Sequence, residues 1–395
     1  MKKWIHRLLP ILMLGFLFLG LVRTLFLPKD INYYENRTAN KAPQLTLATF
    51  RTSTFQNGME DALNDQIPLA QFMKSRYNQA DATLLSSLLW GNLEHFPRQY
   101  IKFKSVLLFH DGGEVYATYP PKVLDDLTER LDEKAANYNA CISAHPELEF
   151  YLYFIEKDTD INFATGEKLG AYVYFSGQLD LPAENMACFS VDSFDAYSQT
   201  FFQTDHHWNY RGAYEGYCQV MNLLGKTEEI LVPTGEVTLP NPFSGSKTTY
   251  ILGSTSAIQE SLTVHRFDFP PMDITINAEA VADYGNREQF LSLENPATPV
   301  AYGAYYGGDE GQIIFDTGDT QKENILILGE SFDNAILKLM APGFGQLHSI
   351  DLRNYARQSG ESFRLASYVE KHGITKVLFI GNLDCFISSD FLLED

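Results

Sequence analysis

The C-terminal part of the sequence alternates short apolar runs with amphipathic stretches, and this alternation constrains the fold more than any other feature. Apolar runs at 325–328 and 377–380 and the segment 348–352 predict strands, while the stretches at 333–340 and 363–371 predict helices. Strands and helices that alternate in this way form right-handed crossovers and a parallel sheet with helices on both faces. Ligands of such sheets bind beyond the carboxyl ends of the strands, so residues at those ends are the first candidates for a site.

The middle of the chain predicts further elements of the same α/β domain. The uninterrupted apolar run 150–155 is typical of a strand buried on both faces, the runs 106–110 and 115–116 predict a hairpin, and a helix is expected from about 121 to 144. Between about 226 and 310, prolines and glycines split short apolar runs, which indicates a β-rich insertion. We therefore expect one α/β domain over 76–395, preceded by a polar stalk or linker at 28–75 with a short helix around 58–77.

The N-terminus predicts a membrane anchor. Lys2, Lys3 and Arg7 precede an apolar run that is uncharged from Leu8 to Val22 and continues through Arg23 and Thr24 to Leu27. As a helix, the run would reach roughly 22 Å by Val22 and roughly 30 Å by Leu27, close to the thickness of a hydrocarbon core. No A-x-A-like cleavage site follows, which favours an uncleaved anchor over a cleaved signal peptide. The prediction is a single-pass segment over 1–27, with a cytoplasmic N-terminus and the remainder of the chain extracellular.

Charge and cysteine content exclude several classes of protein. The 50 Asp+Glu against 30 Lys+Arg give a formal net charge of −20, which excludes a protein that binds nucleic acid through its phosphates. The four cysteines form no C-x-x-C motif, so neither a zinc ribbon nor a thioredoxin-like site is expected. Free thiols are favoured over disulfides, and the sequence does not choose among the possible pairings.

A serine follows the predicted strand 325–328 and precedes the predicted helix. A hydroxyl there would be exposed at the carboxyl edge of the sheet, near backbone N–H groups that can stabilise an oxyanion. Ser331 is therefore a candidate nucleophile. The alternative is that Ser331 only caps the helix, since serine is a common N-cap.

Adjacent histidines stand beside a carboxylate in the segment Asp205-His206-His207. A hydroxyl nucleophile needs a base of near-neutral pKa, and that base needs a carboxylate that fixes its tautomer; an Asp-x-His pair supplies both. Two histidines and an aspartate could also bind zinc, but no third-ligand spacing such as H-E-x-x-H lies nearby. A purely structural role for the pair is the remaining alternative.

Two further side chains stand at or near strand ends. Asn382 follows Gly381 after the predicted strand 377–380, where its amide could donate to an oxyanion, although Gly-Asn is also an ordinary turn. Arg353 follows the predicted strand 348–352 and could bind an acyl carbonyl or a sugar, or form only a salt bridge at the rim.

These motifs together resemble a known family. Thr-Asp-His-His-Trp at 204–208 is the signature of the DHHW protein family. In combination with Gly-Glu-Ser-Phe at 329–332 it resembles the acetyltransferases of the SGNH-hydrolase superfamily that modify alginate. The resemblance runs from Tyr-Glu-Asn-Arg at 34–37 to Asp-Leu-Arg at 351–353. It implies an SGNH-like sheet whose sequence blocks are permuted, because the Asp-x-His segment precedes the serine.

The resemblance also implies roles for individual residues. It makes Ser331 the nucleophile, His207 the base and Asp205 its orienting carboxylate. Asn382 matches the superfamily's oxyanion asparagine. No glycine block matches, so the second oxyanion donor would be the Ser331 backbone N–H or Arg353. His206 and Trp208 would pack around the base without taking part in the proton transfer.

The implied function is a membrane-anchored extracytoplasmic O-acetyltransferase that modifies a cell-surface or secreted polysaccharide through an acyl-serine. Neither a cofactor nor a metal is expected, and a multispanning membrane O-acyltransferase would be the partner that delivers acetyl groups. Tyr302, Tyr305 and Tyr306 are candidate contacts for the acceptor sugar, unless they form a turn with their rings packed inward. The alternatives are a carbohydrate esterase with the same residues and a non-catalytic glycan-binding surface protein.

Overall fold

A sheet of eight strands contains most of the strands predicted above. The computed structural model describes residues 2–29, 31–32, 37–51, 53–67, 72–73, 76–77, 80, 99–103, 106–111, 114–243, 245–247, 260–285 and 300–393. The chain divides into two units, one formed by residues 1–97 and 245–259 and the other by residues 98–244 and 260–395.

The described part of the first unit includes α1 (Lys2–Phe26), β1 (Ile31–Asn32), β2 (Arg37–Thr38), α2 (Leu47–Arg51) and α3 (Thr54–Gln66), with β1 and β2 antiparallel. Two buried polar residues at the end of α3 hold the extended chain: Asp65 Oδ2 accepts from Asn40 N at 2.7 Å, and Gln66 Oε1 accepts from Lys29 N at 2.7 Å. The predicted helix around 58–77 corresponds to α3 up to Gln66, and residues 72–73 and 76–77 are also helical. Residues 68–71 and 74–75 of that prediction, and 34–36 of the family resemblance, lie outside the described residues.

The predicted membrane anchor falls on α1. This helix has lysines in its first turn, Arg23 in its last turn and Pro10 in its interior. Of the helices in the described ranges, none combines the length and the sustained apolarity that crossing a bilayer requires. The prediction of a transmembrane segment is therefore not supported.

The second unit contains the remaining strands. They are β3 (Gln99–Phe103), β4 (Val106–Asp111), β5 (Glu114–Thr118), β6 (Glu149–Ile155), β7 (Ile161–Asn162), β8 (Glu167–Lys168), β9 (Met186–Phe189), β10 (Gly235–Pro242), β11 (Ser261–Arg266), β12 (Asp273–Ile276), β13 (Glu279–Val281), β14 (Gln312–Asp316), β15 (Asn324–Leu328), β16 (Gln346–Ile350) and β17 (Ile374–Asn382).

The helices of this unit are α4 (Thr128–Ala144), α5 (Ala171–Ser176), α6 (Phe194–Thr200), α7 (Tyr210–Leu223), α8 (Tyr302–Tyr306), α9 (Leu337–Met340), α10 (Leu352–Ser359), α11 (Leu365–His372) and α12 (Leu383–Phe386). Short 3₁₀ turns occupy Leu124–Asp126, Ala183–Asn185, Thr227–Glu229, Asp333–Ala335, Ala341–Gly343 and Ser389–Phe391.

The central sheet has the strand order β13-β12-β14-β16-β15-β17-β6-β9. Its neighbours from β16 to β9 are all parallel, whereas β14, β12 and β13 are antiparallel to their neighbours. The parallel sheet predicted from the C-terminal alternation is therefore confirmed, and the fold is mixed α/β. The predicted hairpin also forms, with β4 and β5 antiparallel; residues 112–113 of its turn are not described.

Alternate residues of the central strands pack into different hydrophobic clusters. In β15, Ile325 and Ile327 join the cluster that contains α7, while Leu326 and Leu328 join the cluster that contains α4. Successive side chains of a strand point to opposite faces, so the two clusters are the two sides of the sheet. The prediction of helices on both faces is confirmed.

The segment predicted as a β-rich insertion does contain strands. β10 and β11 form an antiparallel pair, whereas β12 and β13 extend the central sheet by pairing through β14. Part of the segment is therefore an edge of the main sheet. Residues 244, 248–259 and 286–299 of this segment lie outside the description.

Two helices after the central strands differ from expectation. The predicted helix 333–340 is a 3₁₀ turn followed by the single-turn α9. Helix α10 was not predicted, because Leu352 was assigned to the strand predicted over 348–352 and none of the eight helical residues is fully buried. All four cysteines lie in described segments, and no disulfide joins them there, as expected.

Candidate active site

The proposed nucleophile lies at the carboxyl edge of the parallel strands. Gly329 and Glu330 connect β15 to Ser331, and the neighbouring β17 ends at Asn382. The 3₁₀ turn after Ser331 has Phe332 as its N-cap, without a side-chain cap. Ser331 Oγ instead contacts His207 and Glu330, so its contacts are not those of a helix cap.

A chain of hydrogen bonds joins Asp205, His207 and Ser331. Asp205 Oδ1 lies 2.6 Å from His207 Nδ1, and His207 Nε2 lies 2.7 Å from Ser331 Oγ, across 124 positions of sequence. Asp205 and His207 are buried, while Ser331 is half-buried. The expected convergence of these residues is observed, and its order of atoms is that of a nucleophile, a base and an orienting carboxylate.

His206 and His207 occupy different positions, and only His207 contacts the serine. The His206 ring packs on the His207 ring with centroids 3.9 Å apart, and its Nδ1 lies 3.6 Å from Asp205 Oδ1. Donor atoms of Asp205, His206 and His207 lie within 4.8 Å of one another. Both ring nitrogens of His207 are engaged in hydrogen bonds, which is the arrangement of a proton relay.

The segment 204–208 is held by a carboxylate that the sequence analysis did not identify. Glu260 accepts hydrogen bonds from the backbone N–H of Gln203 at 2.7 Å and of Thr204 at 3.0 Å, and from Thr204 Oγ1 at 2.7 Å. Burial raises the pKa of Glu260 to about 7, although the hydrogen bonds from Thr204 lower it. Glu260 lies 57 positions from Gln203 and belongs to no motif, so nothing in the sequence links the two.

Trp208 anchors the other end of the segment. Its side chain is fully buried and packs edge-on against Phe189 and Phe332. A Cβ at Gly216 of α7 would lie 2.4 Å from the indole ring, so glycine leaves the space that the ring occupies. Asn209 then caps α7 by accepting from the N–H groups of Arg211 and Gly212. The tryptophan of the motif therefore fixes where the His207 segment meets the helix.

Tyr302 lies flat against His207. Their ring centroids are 3.7 Å apart and the planes are 1° from parallel, and Tyr302 is only 4% exposed. The ring thus restricts rotation of the imidazole. Tyr305 and Tyr306 are also buried, so all three predicted acceptor contacts have their rings turned inward, as in the alternative that the sequence left open.

Tyr305 and Tyr306 line a cavity of about 450 Å³. Helices α7 and α9 and strand β11 contribute the other walls. Its aromatic and charged lining comprises Tyr210, Tyr214, His265, Arg266, Phe267, Asp268, Phe269 and Lys338. Because α8 contains both Tyr302 and two residues of this lining, one short helix contacts the His207 ring and the cavity.

Glu330 lies between the serine and the predicted oxyanion asparagine. Its Oε2 is 2.9 Å from Ser331 Oγ, and its Oε1 accepts from Asn382 Nδ2 at 2.8 Å. Burial raises the pKa of Glu330, against the opposing influence of His207 and Arg353. The sequence analysis assigned no role to Glu330. The structure shows one amide hydrogen of Asn382 on this carboxyl group, while Asn382 Oδ1 accepts from Asp384 N at 2.7 Å.

Arg353 is bound by two carboxylates. Its Nη2 lies 2.6 Å from Asp351 Oδ2 and 2.9 Å from Asp309 Oδ2, and its Nε donates to Asp351 at 3.0 Å. Burial lowers the pKa of Arg353, but these carboxylates more than offset this and raise it overall. Of the two predicted alternatives, the structure shows the salt bridge.

Comparison with known proteins places this site in a family. The model of the DHHW protein family matches residues 123–350. A DHHW family protein from Eubacterium siraeum is similar in structure, with 16% identity, a TM-score of 0.54, and coverage of 75% of this chain and 99% of that one. Bacillus cereus PatB1 is similar with 19% identity, a TM-score of 0.55, and coverage of 75% and 100%.

The O-acetyltransferase domain of Pseudomonas putida AlgJ shares 10% identity at a TM-score of 0.37, covering 70% of this chain and 90% of that one. Among curated proteins, no sequence matches the chain. The structural likenesses concern the fold alone. The family model, in contrast, spans more than half of the chain and includes the segment 204–208, and on this ground the chain belongs to the DHHW protein family.

Proposed function

We propose that this protein is an O-acetyltransferase that modifies a polysaccharide through an acyl-Ser331 intermediate. The observation that carries the proposal is the hydrogen-bonded chain from Asp205 through His207 to a half-buried Ser331. A serine hydroxyl becomes a nucleophile when an adjacent base takes its proton, and the base acts when a carboxylate fixes its tautomer.

The first half-reaction forms the acyl-serine. Ser331 Oγ attacks the carbonyl carbon of the acetyl donor, and its proton passes to His207 Nε2. Asp205 stabilises the resulting imidazolium through Nδ1–H. The tetrahedral oxyanion would receive hydrogen bonds from the Ser331 backbone N–H and from the second amide hydrogen of Asn382. Collapse breaks the bond to the leaving group, which takes the proton from His207.

The second half-reaction transfers the acetyl group. A sugar hydroxyl gives its proton to His207 Nε2 and attacks the acyl carbonyl, and Ser331 Oγ leaves with that proton. Water in place of the sugar would give an esterase with the same residues. The difference lies in contacts that hold the acceptor, and we propose the cavity beside α8 for this role. Its volume of about 450 Å³ lies within the range of small-molecule sites, and aromatic rings form much of its lining.

The location and the partner remain predictions from the sequence. The basic N-terminal flank before an apolar run supports placement of the second unit outside the cytoplasm. There, a multispanning membrane O-acyltransferase would supply acetyl groups. Cell fractionation and N-terminal sequencing of the mature protein test this, and recovery of the intact chain in the cytosol would contradict it.

Covalent labelling tests the reaction. The protein is incubated with an activated acetyl ester or a serine-directed phosphonate, and the modified residue is located by mass spectrometry. Ser331→Ala should abolish labelling, whereas Ser367→Ala, which removes an exposed hydroxyl bonded to Arg364 O, should not. Labelling followed by transfer to an oligosaccharide supports the transferase. Labelling followed only by hydrolysis indicates the esterase, and an unreactive Ser331 indicates a non-catalytic glycan-binding protein.

A further inference from the structure

The Ser331 hydroxyl has one proton and two hydrogen-bond partners. His207 Nε2 lies 2.7 Å from Oγ on one side, and Glu330 Oε2 lies 2.9 Å from it on the other. A hydroxyl can donate to only one of them. The second contact is a hydrogen bond only when that partner donates its own proton to the serine oxygen.

Asp205 decides which nitrogen of a neutral His207 carries the proton. Its Oδ1 lies 2.6 Å from Nδ1, so Nδ1 donates to the carboxylate and Nε2 is left as an acceptor. The serine therefore donates to Nε2, as attack requires. In this state the contact at 2.9 Å between Ser331 Oγ and Glu330 Oε2 needs a proton on Glu330.

We propose that Glu330 is a carboxylic acid in the resting enzyme, and that it donates to Ser331 Oγ so that the serine's own proton points to His207. The proposal rests on the acyl-serine chemistry above and adds a catalytic residue to it. One other state has the same number of protons: Glu330 ionised, with an imidazolium donating to the serine and the serine donating to Glu330. The surroundings of Glu330 favour the first state.

Asn382 distinguishes the two oxygens of Glu330. Its Nδ2 donates to Oε1 at 2.8 Å, which makes Oε1 the acceptor and leaves Oε2 as the oxygen that faces the serine. Asn382 itself is fixed because Oδ1 accepts from Asp384 N. The carboxyl group thus has one oxygen placed to accept and one placed to donate, which is the arrangement of a neutral acid.

The charged groups around Glu330 do not compensate a buried negative charge. Asp333 is a second buried carboxyl group, and its pKa is raised first by its burial and then by the charge of Glu330, so the two acids disfavour each other's ionisation. Burial likewise raises the pKa of Glu330. The cations that oppose this are His207 when protonated, Arg353, already paired with Asp351 and Asp309, and Lys157, paired with Asp384 at 2.8 Å. The Cys385 thiol also faces Glu330.

The proposal has a consequence for reactivity. An ionised Glu330 would compete with His207 for the serine proton, and it would place a negative charge beside the oxygen that develops charge during attack. The rate of Ser331 acylation should therefore fall as pH rises through the pKa of Glu330. A glutamate that acts as a carboxylate would give the opposite trend.

Glu330→Gln tests this, because glutamine has the hydrogen-bonding pattern of the neutral acid. Its Oε1 can accept from Asn382 while its amide N–H donates to the serine. The rate of phosphonate labelling is measured against pH for the full-length wild type, Glu330→Gln and Glu330→Ala. The wild-type rate should decline at alkaline pH and the glutamine variant should not. Glu330→Ala should be slower than the glutamine variant at every pH, because the serine loses its second partner.

Infrared difference spectroscopy between the wild type and Glu330→Gln measures the protonation of Glu330 independently of Ser331 reactivity. A protonated carboxyl band at neutral pH that disappears in the variant supports the proposal, and only carboxylate bands would overturn it. A folded Glu330→Gln that loses on the order of 10²-fold or more in labelling rate, the size of effect expected when a general base is removed, would also overturn it. Wild-type protein that shows the band without labelling would refute the acyl-serine function and leave the protonation of Glu330 standing.

Discussion

The two halves of the candidate site are built differently. Ser331, Glu330 and Asn382 follow directly from neighbouring parallel strands, β15 and β17, whose register brings their ends together. Asp205 and His207 lie in a segment with no regular structure, between α6 and α7. Strand pairing positions the first half. The second half is held by backbone hydrogen bonds within its own loop, from Phe202 N to His207 O and from Asn209 N to Thr200 O, and by side-chain contacts such as those of Glu260 and Tyr302. Residues remote from the chemistry should therefore matter more around His207 than around Ser331.

The largest expected effect on the rate of Ser331 acylation comes from replacing a carboxylate by an amide, compared between the two halves. Asp205→Asn should lower the rate of Ser331 acylation by about 10⁴-fold, because the imidazole loses its tautomer and its stabilised cation. Asp351→Asn, which weakens the Arg353 ion pair at the end of β16, should cost less than about tenfold. Labelling rates of the two purified variants give the ratio. Similar losses in both would remove the distinction between the halves.

A smaller effect concerns Glu260 and pH. Its pKa is raised from 4.5 to about 7, so between these values the native state holds a proton that the unfolded chain has released. The free energy of unfolding should therefore fall as pH rises through this window, by up to about 3 kcal/mol. Urea denaturation at several pH values should show this fall in the wild type and a weaker one in Glu260→Gln. The exposed Glu228→Gln should behave as the wild type does.

The packing of α7 against Trp208 should be sensitive to the addition of a single methyl group. Gly216→Ala places a Cβ 2.4 Å from the indole ring, and such overpacking should lower the free energy of unfolding by about 1–3 kcal/mol. Gly303→Ala is the matched control, because no atom lies within 4 Å of its added Cβ. Thermal unfolding of both variants compares them. An unchanged melting temperature in Gly216→Ala would mean that Trp208 can move aside.

The smallest effect concerns the cavity. Tyr210→Ala removes a half-buried ring from its lining and should lower acetyl transfer to an oligosaccharide by about three- to tenfold, with hydrolysis of the donor less affected. Tyr174→Ala, on α5 and outside the cavity, should change neither rate. The ratio of transfer to hydrolysis is the measurement. A proportional loss of both activities would assign the cavity a structural role.

The sequence predicted the Ser331 half of the site, which follows from the ends of strands, more fully than the His207 half. Ser331 was identified because an apolar run precedes it. The parallel direction of β15, β16 and β17 was predicted because these strands alternate with helices. The motif supplied Asp205 and His207, but not what holds them. Glu260 belongs to no motif, and Tyr302 was singled out only as a contact for the acceptor sugar, so only the folded chain shows that they contact the segment 203–207.

Other differences have the same origin. The strand pattern placed Asn382 at the end of β17, but its partner Glu330 depends on the packing of two strand ends. The antiparallel edge β14-β12-β13 was not distinguished from an insertion, because prolines and glycines break its periodicity. Helix α10 is only eight residues long, and its partly buried residues Leu352 and Tyr355 were not recognised as one face because Leu352 was assigned to the preceding strand.

The place of β17 in the sheet has a consequence for how the chain folds. β17 lies between β15 and β6, and its Lys376 pairs with Glu149, which is 227 positions earlier. Contacts of such sequence separation form slowly, since a long loop must close before any of them is made. Until β17 docks, β6 exposes a hydrogen-bonding edge and apolar faces that can pair with other chains. Folding of the nucleophile edge should therefore be slow and prone to aggregation, and it should be the step that benefits most from a chaperone.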